Sequence, residues 1–153
     1  MDLDWFVFDA SGTLIHFTSA GGYLPAFIKD EAFKIDAKTL ALDAKILALP
    51  EISNQIIISP NLYKAASIAN EQEFSLYIVS YEEHARRGLY TYDKTSPYYA
   101  GSTYHLVACP IISLKYEDVP SEFRDEIPFL SNLLMLDSTP PFEIVTEELV
   151  IKH

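Results

Sequence analysis

The sequence is short of the residues that would tie it to a membrane or to an oxidising compartment. Cys109 is the only cysteine, so no disulfide can form within the chain, and a reducing compartment suits such a sequence. No hydrophobic run comes near the ~20 residues that a membrane-spanning helix needs. The chain begins Met1-Asp2-Leu3-Asp4, which is acidic where a secretory signal is basic. These absences predict a soluble, cytoplasmic protein with no membrane partner.

Basic residues are also scarce. There are 11 Lys and Arg against 22 Asp and Glu, which leaves a formal net charge of −11. Proteins bind nucleic acids and anionic membranes by neutralising phosphates with Lys and Arg, so this balance argues against both partners. It allows a cationic partner, which the negative field would attract during association. Solubility alone is the other explanation of an acidic composition.

The histidines and the cysteine form no pattern typical of a catalytic or metal site. We expect neither a metal nor a cofactor, because the four histidines lack the close spacing that metal sites favour. They are His16, His84, His105 and His153. His105 and Cys109 share a predicted strand, where four residues separate them by ~13 Å, too far for a nucleophile and its base. Cys109 is therefore expected to be a buried structural residue, and no catalytic residue is assigned.

Length and composition predict one folded domain over residues 1–153. A chain of this size buries ~70% of the surface that it exposes when unfolded, which supplies a core without disulfides or metals. The hydrophobic content of 49% and the aromatic content of 13% agree with a packed globule.

The N-terminal segment predicts a β-hairpin on which a sheet is built. Residues 6–8 and 13–17 are two apolar runs, and the residues between them, Asp9-Ala10-Ser11-Gly12, are typical of a turn. An aspartate can hydrogen-bond its own local backbone there, and a glycine can adopt positive φ.

Helices are predicted for the middle of the chain, and strands become more frequent in its later part. The segment 74–79 is rich in β formers, but its apolar residues keep helical spacing, so we favour a helix there. A helix over 81–87 is supported by two charge pairs spaced i,i+4, Glu82–Arg86 and Glu83–Arg87, and by Gly88 at its C-terminal end. The other predicted helices are 26–33, 38–49, 62–70, 121–127 and 131–136, the last as a helix or turn, and the other extended segments are 56–58, 89–92, 103–109, 111–114 and 142–151.

This order of elements predicts the fold class. Strands at both ends with helices clustered between them indicate an α+β domain. We expect the hairpin and the later antiparallel strands to form one sheet with helices packed against it.

Two further features point to a binding partner. Tyrosine is enriched in interfaces because it offers a large apolar area with a polar tip, and the tyrosines assigned to a partner-binding surface are Tyr90, Tyr92, Tyr98 and Tyr99, with Tyr104 nearby. Acidic residues that can face a basic partner gather farther along, at Glu117, Asp118, Glu122, Asp125 and Glu126. Rings that cap the core and carboxylates that only face solvent are the alternatives.

The N-terminal strand and turn resemble the first motif of haloacid-dehalogenase-type hydrolases, an apolar strand followed by Asp-x-Asp-Gly-Thr. The matching residues are Phe6-Val7-Phe8-Asp9-Ala10-Ser11-Gly12-Thr13. The resemblance implies that Asp9 is a nucleophile that helps to bind magnesium. Ser11 stands where phosphatases of the family have their general acid, and the sequence offers no good acidic pair to hold the metal. The regular alternation of strands and helices that a doubly wound sheet requires is also missing.

A second, patchier resemblance covers more of the chain. It runs through Asp9-x-x-Gly12, Ile15-x-Phe17-Thr18-Ser19-Ala20-Gly21-Gly22 and Pro25, then Ala85-Arg86-Arg87-Gly88-Leu89-Tyr90-x-Tyr92-Asp93, Tyr104 and Pro110. These segments look like parts of small bacterial proteins, some of which are encoded beside polymorphic toxins and are thought to be immunity proteins. The resemblance implies a binding protein that neutralises a toxin from the same cell lineage. It identifies no toxin and assigns no functional residue.

The sequence therefore predicts a non-enzymatic, cytoplasmic, immunity-type protein that neutralises a cationic toxin by occlusion. The alternative is a reduced magnesium-dependent phosphohydrolase with Asp9 as its nucleophile, and a scaffold or small-ligand protein is a third possibility. The hydrolase requires Asp9 at the C-terminal end of a strand in a parallel sheet, beside further carboxylates. The binding protein predicts Asp9 in a hairpin turn on which no other functional groups converge.

Overall fold

A hairpin opens the structure, a computed structural model that describes residues 4–18, 37–60, 62–94, 103–129, 143–145 and 150–152. Strand β1 (Asp4–Phe8) pairs antiparallel with β2 (Leu14–Thr18), as the sequence predicts. In the turn, Asp9 Oδ1 accepts hydrogen bonds from the backbone N–H groups of Ser11 and Thr13, each at 2.9 Å, and Gly12 has a φ of +82°. The carboxylate and the glycine therefore act in the turn as their residue types predicted.

The other described strands extend the hairpin into one sheet. They are β3 (Ile56–Ile58), β4 (Tyr90–Lys94), β5 (Thr103–Pro110), β6 (Glu143–Val145) and β7 (Val150–Lys152). The strand order is β1-β2-β4-β5-β6-β7, and β3 also pairs with β5.

The sheet is mixed, although only antiparallel pairing was predicted. Among the described strands, β2 and β4 pair in parallel and the other pairings are antiparallel. The difference arises because the long connection between β2 and β4 returns the chain to the end of the sheet from which β2 started. One sheet with helices packed against it confirms the predicted α+β class.

The described helices are α1 (Ala37–Leu47), α2 (Leu62–Ala65), α3 (Glu71–Tyr77), α4 (Val79–Arg86) and α5 (Ser121–Arg124), with a 3₁₀ turn at Tyr116–Asp118. The ambiguous segment 74–79 is helical, as favoured, since α3 ends at Tyr77 and α4 begins at Val79. None of the helices in the described ranges combines the length and the apolar character that crossing a membrane requires.

Some predicted elements are shorter or divided. The helix predicted over 62–70 is limited to α2, because Ser67 adopts a φ of +55°, which ends helical geometry. The helix predicted over 121–127 is limited to α5, the segment 111–114 forms no strand, and the segment 142–151 holds β6 and β7 rather than one strand. The helices predicted over 26–33 and 131–136 lie outside the described residues.

Helix α4 ends at the glycine that the sequence singles out. Gly88 has a φ of +96°, and its N–H donates to the carbonyl oxygen of Ala85 at 2.9 Å. Of the two predicted charge pairs, Glu82–Arg86 forms at 3.3 Å, whereas Arg87 donates to the backbone oxygen of Glu83.

The core occupies both faces of the hairpin. On one face Phe6 belongs to a cluster with Ile46 of α1, and on the other Trp5 and Phe17 stack with ring centroids 4.1 Å apart. Side chains alternate between faces along a strand, so His16 lies on the same face as Phe6, and their ring centroids are 5.1 Å apart. This face is covered by α1 and α4, which brings His16 beneath the helices.

Candidate functional site

The structure places the described part of the predicted tyrosine surface mostly inside the protein. Tyr92 is fully buried, because β4 lies between two other strands and every residue of β4 after Tyr90 is buried. Tyr92 therefore offers no area to a partner from this position. Tyr90 is half-buried at the start of the strand. Tyr98 and Tyr99 lie outside the described residues.

The predicted acidic residues lie at the surface. Four of them form what we call the acidic ledge, on the 3₁₀ turn, α5 and the residue after α5: Glu117, Asp118, Glu122 and Asp125. All four are exposed, and none makes a side-chain hydrogen bond or ion pair with the part of the chain that the structure describes. Glu126 differs, since it is half-buried and its Oε2 lies 3.3 Å from Lys45 Nζ.

An aromatic patch, Tyr116 and Phe129, adjoins the acidic ledge. Phe129 is 51% exposed, and its ring centroid lies 5.2 Å from that of Tyr116 and 5.1 Å from that of Phe8. The guanidinium of Arg124 lies over the Tyr116 ring, 4.5 Å from its centroid. Sequence reasoning missed this patch because it searched for aromatic residues crowded along the chain, whereas these two are brought together by folding.

Asp9 serves the hairpin turn. It is fully buried, and its Oδ1 accepts a third hydrogen bond from Ser11 Oγ at 2.7 Å, whereas Oδ2 has no hydrogen-bond partner among the described residues. Lys115 Nζ lies 2.5 Å from Thr13 Oγ1, which places one cation beside the turn. Asp9 belongs to no group of three or more potential metal ligands in the described residues. Asp9 lies in the turn of the antiparallel β1–β2 hairpin, whereas the hydrolase hypothesis requires it at the C-terminal end of a strand in a parallel sheet.

Two histidines stack face to face under α4. The rings of His16 on β2 and His84 on α4 have centroids 3.8 Å apart and an interplanar angle of 11°, and both residues are fully buried. Each imidazole contacts one carboxylate: His16 Nε2 lies 2.6 Å from Asp4 Oδ1, and His84 Nε2 lies 2.6 Å from Asp43 Oδ1. The aspartates reach the surface, with side chains 39% and 30% exposed. We call these four residues the histidine–aspartate cluster.

Hydrogen bonding determines where the protons lie on His84. Its Nδ1 lies 2.6 Å from the carbonyl oxygen of Ser80, which can only accept, so Nδ1 carries a hydrogen. Its Nε2 faces the carboxylate of Asp43, another acceptor, so a second proton lies between these two atoms. His84 and Asp43 therefore share a proton beyond the one that a neutral imidazole carries.

His16 keeps a free lone pair. Its Nε2–H donates to the carboxylate of Asp4, and its Nδ1 has no hydrogen-bond partner among the described residues. Burial lowers the pKa of His16 well below its usual range, and the nearby His84 lowers it further. Burial also raises the pKa of Asp4. The cluster thus stacks an imidazole with one unpartnered nitrogen against an imidazole whose two nitrogens both face oxygen acceptors.

A second buried polar network is centred on Asp93. Thr18 Oγ1 donates to one carboxylate oxygen at 2.7 Å, and Tyr77 Oη donates to the other at 2.6 Å. Each of these hydroxyls has one hydrogen, which it donates to Asp93, so each must accept its other hydrogen bond. Tyr81 Oη therefore donates to Thr18 Oγ1 at 2.8 Å, and His105 Nε2 donates to Tyr77 Oη at 3.1 Å. Both oxygens of this buried carboxylate are thus satisfied, and the network fastens α3 and α4 to three strands.

Cys109 is buried on β5, as the sequence predicts for a structural cysteine. Burial raises its pKa to about 11. A thiol with such a pKa carries little of the thiolate that nucleophilic chemistry requires at neutral pH.

Sequence spacing did not reveal the histidine–aspartate cluster, because its members come from four separate elements. Spacing rules find ligands that lie close together in the chain, whereas β2 and α4 bring His16 and His84 together only in the fold. A weaker signal was present. His84 follows Tyr81 by three positions and precedes Ala85, so it lies on the helix face that is buried. A polar ring on a buried face requires a partner.

Comparison with known proteins identifies neither a family nor a function for this chain. No protein-family model, curated protein or solved structure matches the chain.

Proposed function

We propose that this protein is a non-enzymatic binding protein whose partner is a cationic protein. Its specific form is an immunity-type protein that blocks a toxin in the cytoplasm by occlusion. The observation that carries the proposal is the acidic ledge, where four exposed carboxylates lie within nine consecutive residues and none forms an ion pair among the described residues.

Electrostatics favours a cationic partner at the acidic ledge. Neighbouring carboxylates repel one another, and the net charge of −11 adds a negative field around the whole chain. A basic surface that docks there relieves this repulsion and is steered to the ledge during diffusion. Nucleic acids and anionic membranes carry the wrong sign for the same surface.

The aromatic patch supplies the apolar contact that charge alone does not. Stable interfaces combine a few large apolar or aromatic anchors with a polar rim. Phe129 is half-exposed, Tyr116 is half-buried, and the ledge residues Glu117 and Asp118 directly follow Tyr116 in the chain. The resemblance to immunity-like proteins supports the toxin as partner, and the single buried Cys109 agrees with a reducing compartment.

The test is to isolate the partner and then weaken the contact. The protein is co-expressed with the products of its neighbouring genes, purified by affinity, and the bound protein is identified by mass spectrometry. We expect a stoichiometric complex with a basic protein. The double variant Glu117→Lys with Asp118→Lys should weaken the complex by at least ~10-fold, mainly through a slower association rate, measured by surface plasmon resonance.

The matched control carries the same change in charge elsewhere. Glu51 and Glu83 are both exposed and lie outside the ledge, so the double variant Glu51→Lys with Glu83→Lys should change the affinity much less. Equal weakening by both double variants would reduce the effect to net charge and reject the ledge as the binding surface. Failure to find a basic partner would reject the proposed function.

One observation favours the hydrolase as a second candidate. Lys115 lies beside the Asp9 turn, as a phosphate-neutralising lysine would in the family that the N-terminal motif resembles. Against it, Asp9 is fully buried with one oxygen held by three hydrogen bonds. Magnesium-dependent hydrolysis of para-nitrophenyl phosphate that Asp9→Asn abolishes would establish this candidate, and no hydrolysis by the unaltered protein would remove it.

A further inference from the structure

The histidine–aspartate cluster has nearly the dimensions of a metal centre. One potential ligand atom from each of His16, Asp43 and His84 lies within 4.8 Å of the others. Ligand atoms about 2 Å from one tetrahedral ion lie roughly 3.3 Å apart, so the three atoms must close by up to about 1.5 Å. Because the two imidazoles are stacked, one ring must also tilt to point its lone pair at the ion. The carboxylates of Asp4 and Asp43 are partly exposed, so the cluster lies directly beneath the protein surface.

His84 is oriented as metal-binding histidines are. Its Nδ1–H donates to the backbone oxygen of Ser80, four residues earlier in α4, which directs Nε2 towards Asp43. A hydrogen bond of this kind fixes the tautomer and the ring orientation of histidines that bind metals through the other nitrogen. The helix itself therefore holds one ligand in place.

His16 supplies the second observation. Its ring is fully buried, and Nδ1 has no hydrogen-bond partner among the described residues. Leaving a buried polar atom unpaired destabilises the fold. A cation bound to this nitrogen removes that destabilisation, and the Nε2–H bond to Asp4 is the usual carboxylate contact that orients a metal-binding imidazole.

We propose that His16, His84 and Asp43 bind one divalent transition-metal ion of the zinc class, with Asp4 as the residue that positions His16. Two imidazole nitrogens and one carboxylate oxygen suit Zn²⁺, whereas Mg²⁺ and Ca²⁺ prefer all-oxygen sites. Binding displaces the proton that His84 and Asp43 share, because the ion occupies the space between the same two lone pairs. Three protein ligands leave a fourth position for water.

Calorimetry on the whole protein tests the proposal. The purified chain is dialysed against a chelator, transferred to chelator-free buffer and titrated with zinc chloride alone. We expect one equivalent of Zn²⁺ to bind at micromolar concentration or below, with a rise in the melting temperature. Repeating the titration in two buffers of different ionisation enthalpy should show about one proton released for each ion bound.

Variants distinguish this cluster from adventitious binding. Asp43→Asn changes a partly exposed side chain and is expected to fold, and it should weaken zinc binding by at least ~10-fold. His84→Gln should weaken binding further. His105→Gln is the control, since His105 is a buried histidine of the Asp93 network, and it should leave the zinc affinity unchanged.

Two results would overturn the proposal. One is the absence of saturable zinc binding by the unaltered protein, in which case the stacked histidines hold only a proton. The other is zinc binding that survives both Asp43→Asn and His84→Gln at full strength, which would place the ion elsewhere.

Discussion

Gly88 shows at the scale of a single residue how closely α4 approaches the rest of the fold. A β-carbon at this position would lie 2.5 Å from the backbone nitrogen of Leu114, and the backbone has a φ of +96°. We expect Gly88→Ala to lower the free energy of unfolding by about 3 kcal/mol or more. The added β-carbon would clash with the backbone of Leu114, which cannot move away as a flexible side chain could. Urea unfolding measures the change.

The control for Gly88→Ala is Gly12→Ala. Gly12 also has positive φ, +82°, but a β-carbon there would make only an ordinary contact, 3.5 Å from Tyr116 Cβ. Its loss should be about 1–2 kcal/mol, the cost of the left-handed backbone alone. Equal losses at the two positions would contradict the steric argument.

The single residue His105 should make the stability of the protein depend on pH. It is buried against Tyr77 and Asp93, and burial lowers its pKa even though the charge of Asp93 acts in the opposite direction. As the pH falls below about 6.5, the unfolded chain binds the proton first. The contribution of His105 to the free energy of unfolding should therefore be lost from about pH 6.5 downwards, by up to about 1.4 kcal/mol per pH unit, until the lowered pKa is reached.

The measurement is urea unfolding of the protein and of His105→Gln at a series of pH values. The variant should show a shallower decline in acid, because the protonation difference between its folded and unfolded states is smaller by one group. Parallel pH profiles would show that His105 does not contribute.

At the scale of elements, α3 depends on its N-terminal cap. None of its residues is buried, and the side chain of Asn70 accepts a hydrogen bond from the N–H of Glu73 at 2.9 Å. In return Glu73 Oε2 accepts from the N–H of Ala69 at 2.9 Å. Asn70→Ala should cost this helix about 1 kcal/mol, whereas Asn70→Gly should cost only a few tenths.

Hydrogen exchange of the α3 amides measures this loss locally. The amides of α3 should exchange several-fold faster in Asn70→Ala, while those of β5 keep their rates. Unchanged exchange in α3 would show that packing of Phe74 and Tyr77 alone holds the helix.

The elements that could be predicted are those whose structure is determined by residue types within the element itself. The turn at Asp9–Gly12 and the end of α4 at Gly88 need particular residue types at particular positions, and both were found. The parallel pairing of β2 with β4 and the burial of Tyr92 depend on which strands become neighbours, and residues within a strand do not encode that. For the same reason, the acidic ledge was predicted from neighbouring residues, whereas the stacked His16 and His84 were not.

At the scale of the whole molecule, the net charge of −11 destabilises the folded chain through self-repulsion. Raising sodium chloride from about 0.01 to about 1 M shortens the screening length from about 30 to about 3 Å. We expect the free energy of unfolding to rise over this range, measured by thermal unfolding. Replacing Glu117 by Gln and Asp118 by Asn should reduce the salt effect, and a fall in stability with salt would contradict the argument.

The parallel contact between β2 and β4 also has a consequence for synthesis on the ribosome. The hairpin of β1 and β2 can form early, but Ile15 on the free edge of β2 cannot pair until Tyr90 of β4 has been synthesised. At about 5–20 residues per second, that interval lasts roughly 4 to 15 s. Throughout it, β2 presents an edge of unpaired backbone N–H and C=O groups, with which strands of other chains can pair. We therefore expect chaperones that shield this edge during synthesis to raise the yield of folded protein.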